Sequence, residues 1–181
     1  MEQILRLKKS LKAIYIFDMA QIKLLNGSLV DASQLGIVET PGYDFPCDKK
    51  IATKPFVMNL KLCRVFLNDN KNHPWLILVP RLPVITQNVL GLSDEQYAQL
   101  CREKRIVMAA MVNVFKQTEQ MNAAEFASGV RQLHMHLIAR HTKDIAWPKS
   151  VIDSPHPAVP YSEEEKADLC NRLKAAIGAL S

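Results

Sequence analysis

A chain of 181 residues with 48% hydrophobic and 23% charged side chains holds enough apolar material for one ordinary core, which excludes wholesale disorder. Its net charge of +5, of which +1 falls in residues 1–42, suits an anionic substrate such as a phosphate ester. No basic run is interleaved with aromatics, so nucleic acid is the weaker partner.

Four scattered cysteines, Cys47, Cys63, Cys101 and Cys170, form no Cys-x-x-Cys pair, so reduced thiols in a cytoplasmic protein are expected and a zinc cluster is not. Residues 1–42 are the least informative part. Lys8, Lys9 and Lys12 precede an apolar run, Ala13 to Phe17, that Asp18 cuts. The run is too short for a signal-peptide core or a membrane span. An amphipathic helix, a dispensable extension and residues ahead of an internal start at Met19 all stay open there. Asn26-Gly27 and Pro41-Gly42 are turn signals, and the second places the main domain at 43–150.

Leu62 to Leu67 reads as a strand closed by the loop-forming run Asn68 to Asn72. Trp75 to Val79, between Pro74 and Pro80, is apolar on both faces, as a central covered strand would be. The pair predicts an antiparallel hairpin. Ser93-Asp-Glu-Gln96 is a capping box, and behind it Tyr97, Leu100, Cys101, Val107, Met108, Met111, Val114 and Phe115 recur at helical spacing. This predicts a long helix over 93–118, with Lys104 the one break in its stripe. A short strand and a Ser-Gly turn are expected within 122–129. The prolines between 147 and 160 predict an irregular linker over the surface. Within 151–181, a second capping box, Ser162 to Glu165, opens a helix presenting Leu169, Leu173, Ala176, Ile177 and Leu180 on one face. Strands, helix, strand and tail helix in that order argue for an α+β fold with a mostly antiparallel sheet.

Residues 132–140, Gln-Leu-His-Met-His-Leu-Ile-Ala-Arg, carry the chemistry. On a strand, Leu133, Met135, Leu137 and Ala139 share an apolar face, while Gln132, His134, His136, Ile138 and Arg140 share the other. Alternate positions lie about 6.5–7 Å apart, so two imidazoles can act on one small group. Spacing alone leaves metal binding, acid–base catalysis and nucleophilic catalysis open, beside two merely structural histidines.

Gln132-Leu-His-Met-His-Leu-Ile resembles the signature of the histidine triad family, three histidines alternating with apolar residues. Cys63-Arg-Val-Phe-Leu, Pro74-Trp-Leu-Ile-Leu-Val-Pro-Arg81, Leu92-Ser-Asp and Ala146-Trp-Pro148 resemble a bacterial branch of that family, in the same order. The resemblance implies a five-stranded antiparallel sheet with a long helix, usually paired as a homodimer. It also implies attack at the α-phosphorus of a small nucleotide substrate, a dinucleoside polyphosphate or nucleoside phosphoramidate, without metal or other cofactor. The middle triad position, the family's nucleophile, aligns with His134, and the third with His136.

Two positions depart from the family. Gln132 stands where the first triad histidine would, and an amide can orient a neighbour but cannot carry a proton charge. Trp75 stands where many members place a further supporting histidine. The loop reads Ala127-Ser128-Gly129, so the family's serine donor is shifted or absent, and backbone N–H groups at Ser128 and Gly129 are the candidate phosphate donors. Asn68 or Asp69 aligns with the ribose contact and Asn122 with another polar contact; each is also ordinary turn chemistry. The rivals are a catalytically weakened nucleotide-binding module on the same fold and a metal site at His134 and His136.

Overall fold

The computed structural model describes residues 21–24, 28–31, 37–38, 44–126 and 128–181. The run Ala13 to Phe17, Met19 and both early turn signals lie outside these residues, as does Ala127. Within the first 42 residues, β1 (Gln21–Lys23) pairs antiparallel with β2 (Leu29–Asp31). Strand β3 (Ile37–Val38) pairs with β4 (Cys47–Asp48), which runs into a single helical turn, α1 (Lys49–Ala52).

The main sheet is antiparallel throughout, in the order β5-β6-β7-β9-β8. Its strands are β5 (Phe56–Asn59), β6 (Cys63–Leu67), β7 (Trp75–Pro80), β8 (Gln120–Glu125) and β9 (Met135–Arg140). Every residue of β6, and of β7 from Leu76 on, is buried, as expected for strands covered on both faces. One face packs Val65, Leu67, Leu76, Leu78, Leu137 and Ala139 against two helices, α2 (Asp94–Val114) and α3 (Glu163–Gly178). The other packs Phe66, Ile77 and Val79 against Phe45, Cys47 and Ile51, from the segment that carries β4 and α1. This α+β arrangement has the five-stranded antiparallel sheet and long helix that the resemblance implies. Both capping boxes close as the sequence predicts, at Ser93 with Gln96 and at Ser162 with Glu165.

Three details differ from the expectation. The long helix ends at Val114, because Phe115 leaves helical geometry at φ −104° and the chain must turn by Gln120 to pair with β9. The histidine strand enters the ladder only at Met135. Ahead of it, Leu133 N donates to Thr86 O (2.7 Å) in the β7–α2 connection, yet the alternation of faces persists from Leu133 to Ala139. The edge strand β5 went unseen, being four residues long behind Pro55 and irregular in register between Phe56 and Met58.

The buried polar residue on the helix stripe is Glu103, and Lys104 is only partly covered. The Glu103 carboxylate accepts from the backbone N–H groups of Leu62 (2.7 Å) and Cys63 (2.8 Å), which open β6, and from Gln99 Nε2 (2.7 Å). It satisfies two backbone donors at the start of β6. Glu103→Ala strands both, and we expect a loss of about 3 kcal/mol in denaturant unfolding, against under about 1 kcal/mol for the exposed Arg105→Ala.

Candidate active site

His134 is buried at the mouth of β9, and its Nδ1 lies 2.7 Å from the backbone carbonyl of Gln132. A carbonyl only accepts, so Nδ1 carries the proton and Nε2 keeps its lone pair. His136 follows on the same face, the two rings meeting edge-on with centroids 4.6 Å apart. Its Nδ1 faces the indole Nε1 of Trp75 at 3.1 Å, and the Phe126 ring lies 6.4 Å away between centroids.

Burial, the largest influence, lowers the His134 pKa against the pull of its Gln132 hydrogen bond and of Asp48 and Glu125. Burial again leads for His136, reinforced by His134 and Lys54, and takes it down to about 4. Both rings are therefore neutral at pH 7, which leaves an imidazole nitrogen free to act as a nucleophile.

The sign of the resulting pH dependence follows from linkage. Below about pH 6.5 the unfolded chain takes up a proton at position 136 that the folded ring refuses until about 4. Stability is thus complete above about pH 6.5 and falls as the pH drops toward 4, with His134 and His73, whose pKa values are also lowered, acting in the same direction. Because His136 is partly solvated, its share is on the order of 2 kcal/mol rather than the full linkage value. Urea midpoints at pH 7 and pH 5 test this; equal midpoints contradict it.

Gln132 is buried with both ends of its amide occupied. Its Nε2 donates to Pro46 O (2.8 Å) and its Oε1 accepts from Asp48 N (2.8 Å). The glutamine side chain thus ties the motif to the 46–48 segment, while its backbone carbonyl orients His134. Asp48 in turn caps α1 by accepting from Lys50 N at 2.7 Å.

The remaining candidates divide into two groups. Asn68 Oδ1 accepts from Lys54 Nζ (2.6 Å), whose charge acts on both imidazoles, so Asn68 is linked to the histidine pair. Asp69 turns the other way, accepting from Tyr161 N (2.8 Å) and pairing with Lys166 of α3 (2.9 Å). Asn122 accepts from Arg140 (3.0 Å), and that guanidinium is itself buried in a bidentate pair with Asp144. Ser128 and Gly129 are exposed, and a Cβ at Gly129 would meet nothing within 4 Å, so no steric need for glycine exists there.

Lys54 is the residue that sequence reasoning missed. Its ammonium is pushed below its ordinary pKa by burial, against the pull of Asp69. Thr-Lys-Pro carries no local signal, because Lys54 nears the histidines only through the pairing of β5 across the sheet. Two openings flank this region. A groove of about 580 Å³ runs from Lys54 past Phe56 toward Lys166, and another of about 360 Å³ lies between Phe126, Asn122 and the 148–152 loop. Among the described residues no three of His, Cys, Asp and Glu converge as a metal site, and no described helix is long and apolar enough to cross a membrane.

Residues 49–143 match the HIT domain family model. A histidine triad protein from Marinobacter aquaeolei is 32% identical, with a TM-score of 0.70 over 76% of this chain and 98% of that one. Histidine triad proteins from Sinorhizobium meliloti and Bradyrhizobium japonicum are each 30% identical at a TM-score of 0.68, covering 76% of this chain and 98% and 99% of theirs. No curated protein matches the sequence. The chain belongs to the histidine triad domain family, a family of nucleotide-binding proteins and nucleotide hydrolases or transferases.

Proposed function

We propose that the protein is a nucleotidyl hydrolase or transferase acting at the α-phosphate of a dinucleoside polyphosphate or nucleoside phosphoramidate, with His134 as nucleophile. The observation that carries this reading is the hydrogen bond from His134 Nδ1 to the Gln132 carbonyl. It holds the ring in one tautomer and aims the free Nε2 lone pair away from the backbone. His136 donates to a phosphoryl oxygen, and Gln132 positions the nucleophile without touching substrate. The Lys54 ammonium, within electrostatic reach of both rings, offsets charge on the phosphates. Asn68 is the better of the two ribose candidates, since Asp69 is committed to Lys166 and Tyr161. Asn122 and the backbone of Ser128 and Gly129 remain the candidate contacts on the far side.

The identity of 30–32% to three bacterial proteins supports a bacterial branch of the family, and Gln132 is the residue this chain carries at the first triad position. Pairing as a homodimer through α2 and the edge strand β8 is supported by the exposure of Tyr97 and Val112 on α2. Sedimentation at micromolar concentration decides that point.

For the chemistry, the protein is mixed with diadenosine tetraphosphate or an adenosine phosphoramidate, acid-quenched within its first turnover, and mapped by mass spectrometry. A nucleotidyl adduct on the peptide carrying His134 is expected, followed by release of AMP. Neither adduct nor AMP from either substrate removes the assignment.

A further inference from the structure

Trp75 narrows the substrate class of this same site, and the inference rests on the hydrolase reading above. Its indole Nε1–H points at His136 Nδ1 (3.1 Å), and the rings meet edge-on with centroids 5.2 Å apart. The ladder builds this contact in. Ile77 stands opposite His136 and Trp75 opposite Ile138, so Trp75 is the diagonal neighbour of His136 on one face of the sheet.

An indole N–H donates and never accepts. His136 Nδ1 must therefore hold a lone pair, and the single proton of the neutral ring sits on Nε2. A second proton would set an imidazole N–H against the indole N–H, two donors with no acceptor between them. The His134 ring, 4.6 Å away between centroids, opposes a cation there as well, more strongly once a nucleotidyl group has made that ring cationic. The low pKa of His136 agrees with this geometry.

The other titratable groups acting on the pair supply no obvious proton. Asp48 is turned to Lys50 N, while Glu125 stands opposite Met135, whose side chain faces the helices. Lys54 Nζ is turned to Asn68, donating to its Oδ1 (2.6 Å). Gln132 has no proton to give, and its amide is spent on Pro46 and Asp48.

We infer that Trp75 locks His136 as a neutral Nε2–H donor, so that the site cleaves nucleotidyl phosphoanhydrides, whose leaving group departs as a phosphate anion, in preference to phosphoramidates of basic amines. In the anhydride reaction the His134 Nε2 lone pair forms the N–P bond. The bridging P–O bond breaks, and its electron pair leaves on the departing polyphosphate; no proton moves. Water then forms the new P–O bond, the N–P electron pair returns to Nε2, and the water proton passes to solvent. His136 Nε2–H bonds the phosphoryl oxygen in both steps, and Lys54 offsets the departing charge. Cleaving a phosphoramidate instead requires a proton on the departing nitrogen. A neutral His136 cannot provide it without becoming an imidazolate.

The test compares diadenosine tetraphosphate with an adenosine 5′-phosphoramidate of an alkylamine, and reads the His136 tautomer by nitrogen-15 NMR. The wild-type protein should favour the anhydride in kcat/KM by on the order of 100-fold or more, the range a missing general acid costs. Its His136 should appear as the neutral Nε2–H form at about pH 6, below the ordinary imidazole pKa. Trp75→His, whose ring can accept from Nδ1–H, should narrow the preference by roughly tenfold or more and make phosphoramidate cleavage rise toward acid pH. Lys54→Arg, which keeps the charge but cannot give up a proton, should retain the preference. Comparable wild-type rates on the two substrates, or an imidazolium at His136 at that pH, overturn the inference while leaving the hydrolase reading intact. Absence of AMP from both substrates overturns the two together. The wild-type tautomer decides the matter even where a Trp75 variant does not fold.

Discussion

His134→Ala is expected to lower kcat/KM for any nucleotidyl substrate by on the order of 10⁴-fold or more, the scale on which removing a covalent nucleophile acts. The size follows from the geometry. Nε2 of His134 is the only imidazole nitrogen of the pair left with a free lone pair, since His136 Nδ1 already accepts from Trp75 and its Nε2 carries the proton. No second nucleophile can take over. The ring's one hydrogen bond is to a backbone carbonyl, so the same variant should lose only about 1–3 kcal/mol of stability and still fold. His136→Ala, which on the proposed roles removes a donor and not the attacking atom, should cost roughly 10²-fold. Steady-state assays with AMP quantified directly check both. Equal losses in the two variants would assign them equivalent roles, against the distinct tautomers that their partners impose.

The second large effect is on stability. Arg140 and Asp144 form a bidentate pair with side chains only 3% and 2% exposed, sealing the irregular segment after β9 against the sheet. Burial acts to raise the Asp144 carboxyl, but the Arg140 hydrogen bonds and the Ala146 N–H outweigh it and hold the pKa below its ordinary value. Arg140 also donates to Asn122 Oδ1 (3.0 Å) and to Lys149 O (3.1 Å), neither of which can neutralise its charge. Asp144→Ala leaves that guanidinium buried and uncompensated, and about 3–5 kcal/mol should be lost. Arg140→Met with Asp144→Leu should recover most of it, because two apolar side chains carry no desolvation cost. Urea unfolding of the single and double variants measures the difference. A single variant within about 1 kcal/mol of wild type would show that the pair is solvated in solution.

How much of this was legible in the sequence depends on the range of each contact. The two faces of residues 132–140 could be read locally, because alternation on an extended chain is a property of neighbours, and the structure sets His134 and His136 side by side on one of them. The capping boxes were equally local. Glu103 looked like any helix carboxylate, since its burial depends on the N–H groups of Leu62 and Cys63 forty residues earlier. Gln132 read as an odd substitution in a triad; that its amide joins Pro46 and Asp48, across 86 and 84 residues, follows only from the docked fold. Lys54 and Trp75 reach the site through the order β5-β6-β7-β9, which no local pattern encodes. Resemblance supplied the meaning of the histidines, and it also drew attention to Trp75 as a departure. The indole-to-imidazole hydrogen bond then converts that departure into a chemical constraint.

The stereochemical course at the α-phosphorus tests the central claim most directly. A substrate made chiral at that atom by sulfur and oxygen-isotope substitution is hydrolysed to the nucleoside phosphorothioate, and the configuration of the product is read by phosphorus-31 NMR. Attack by His134 followed by attack of water is two in-line displacements, so retention of configuration is the predicted result. Inversion would mean that water reaches phosphorus in one step and that His134 never forms a bond to it.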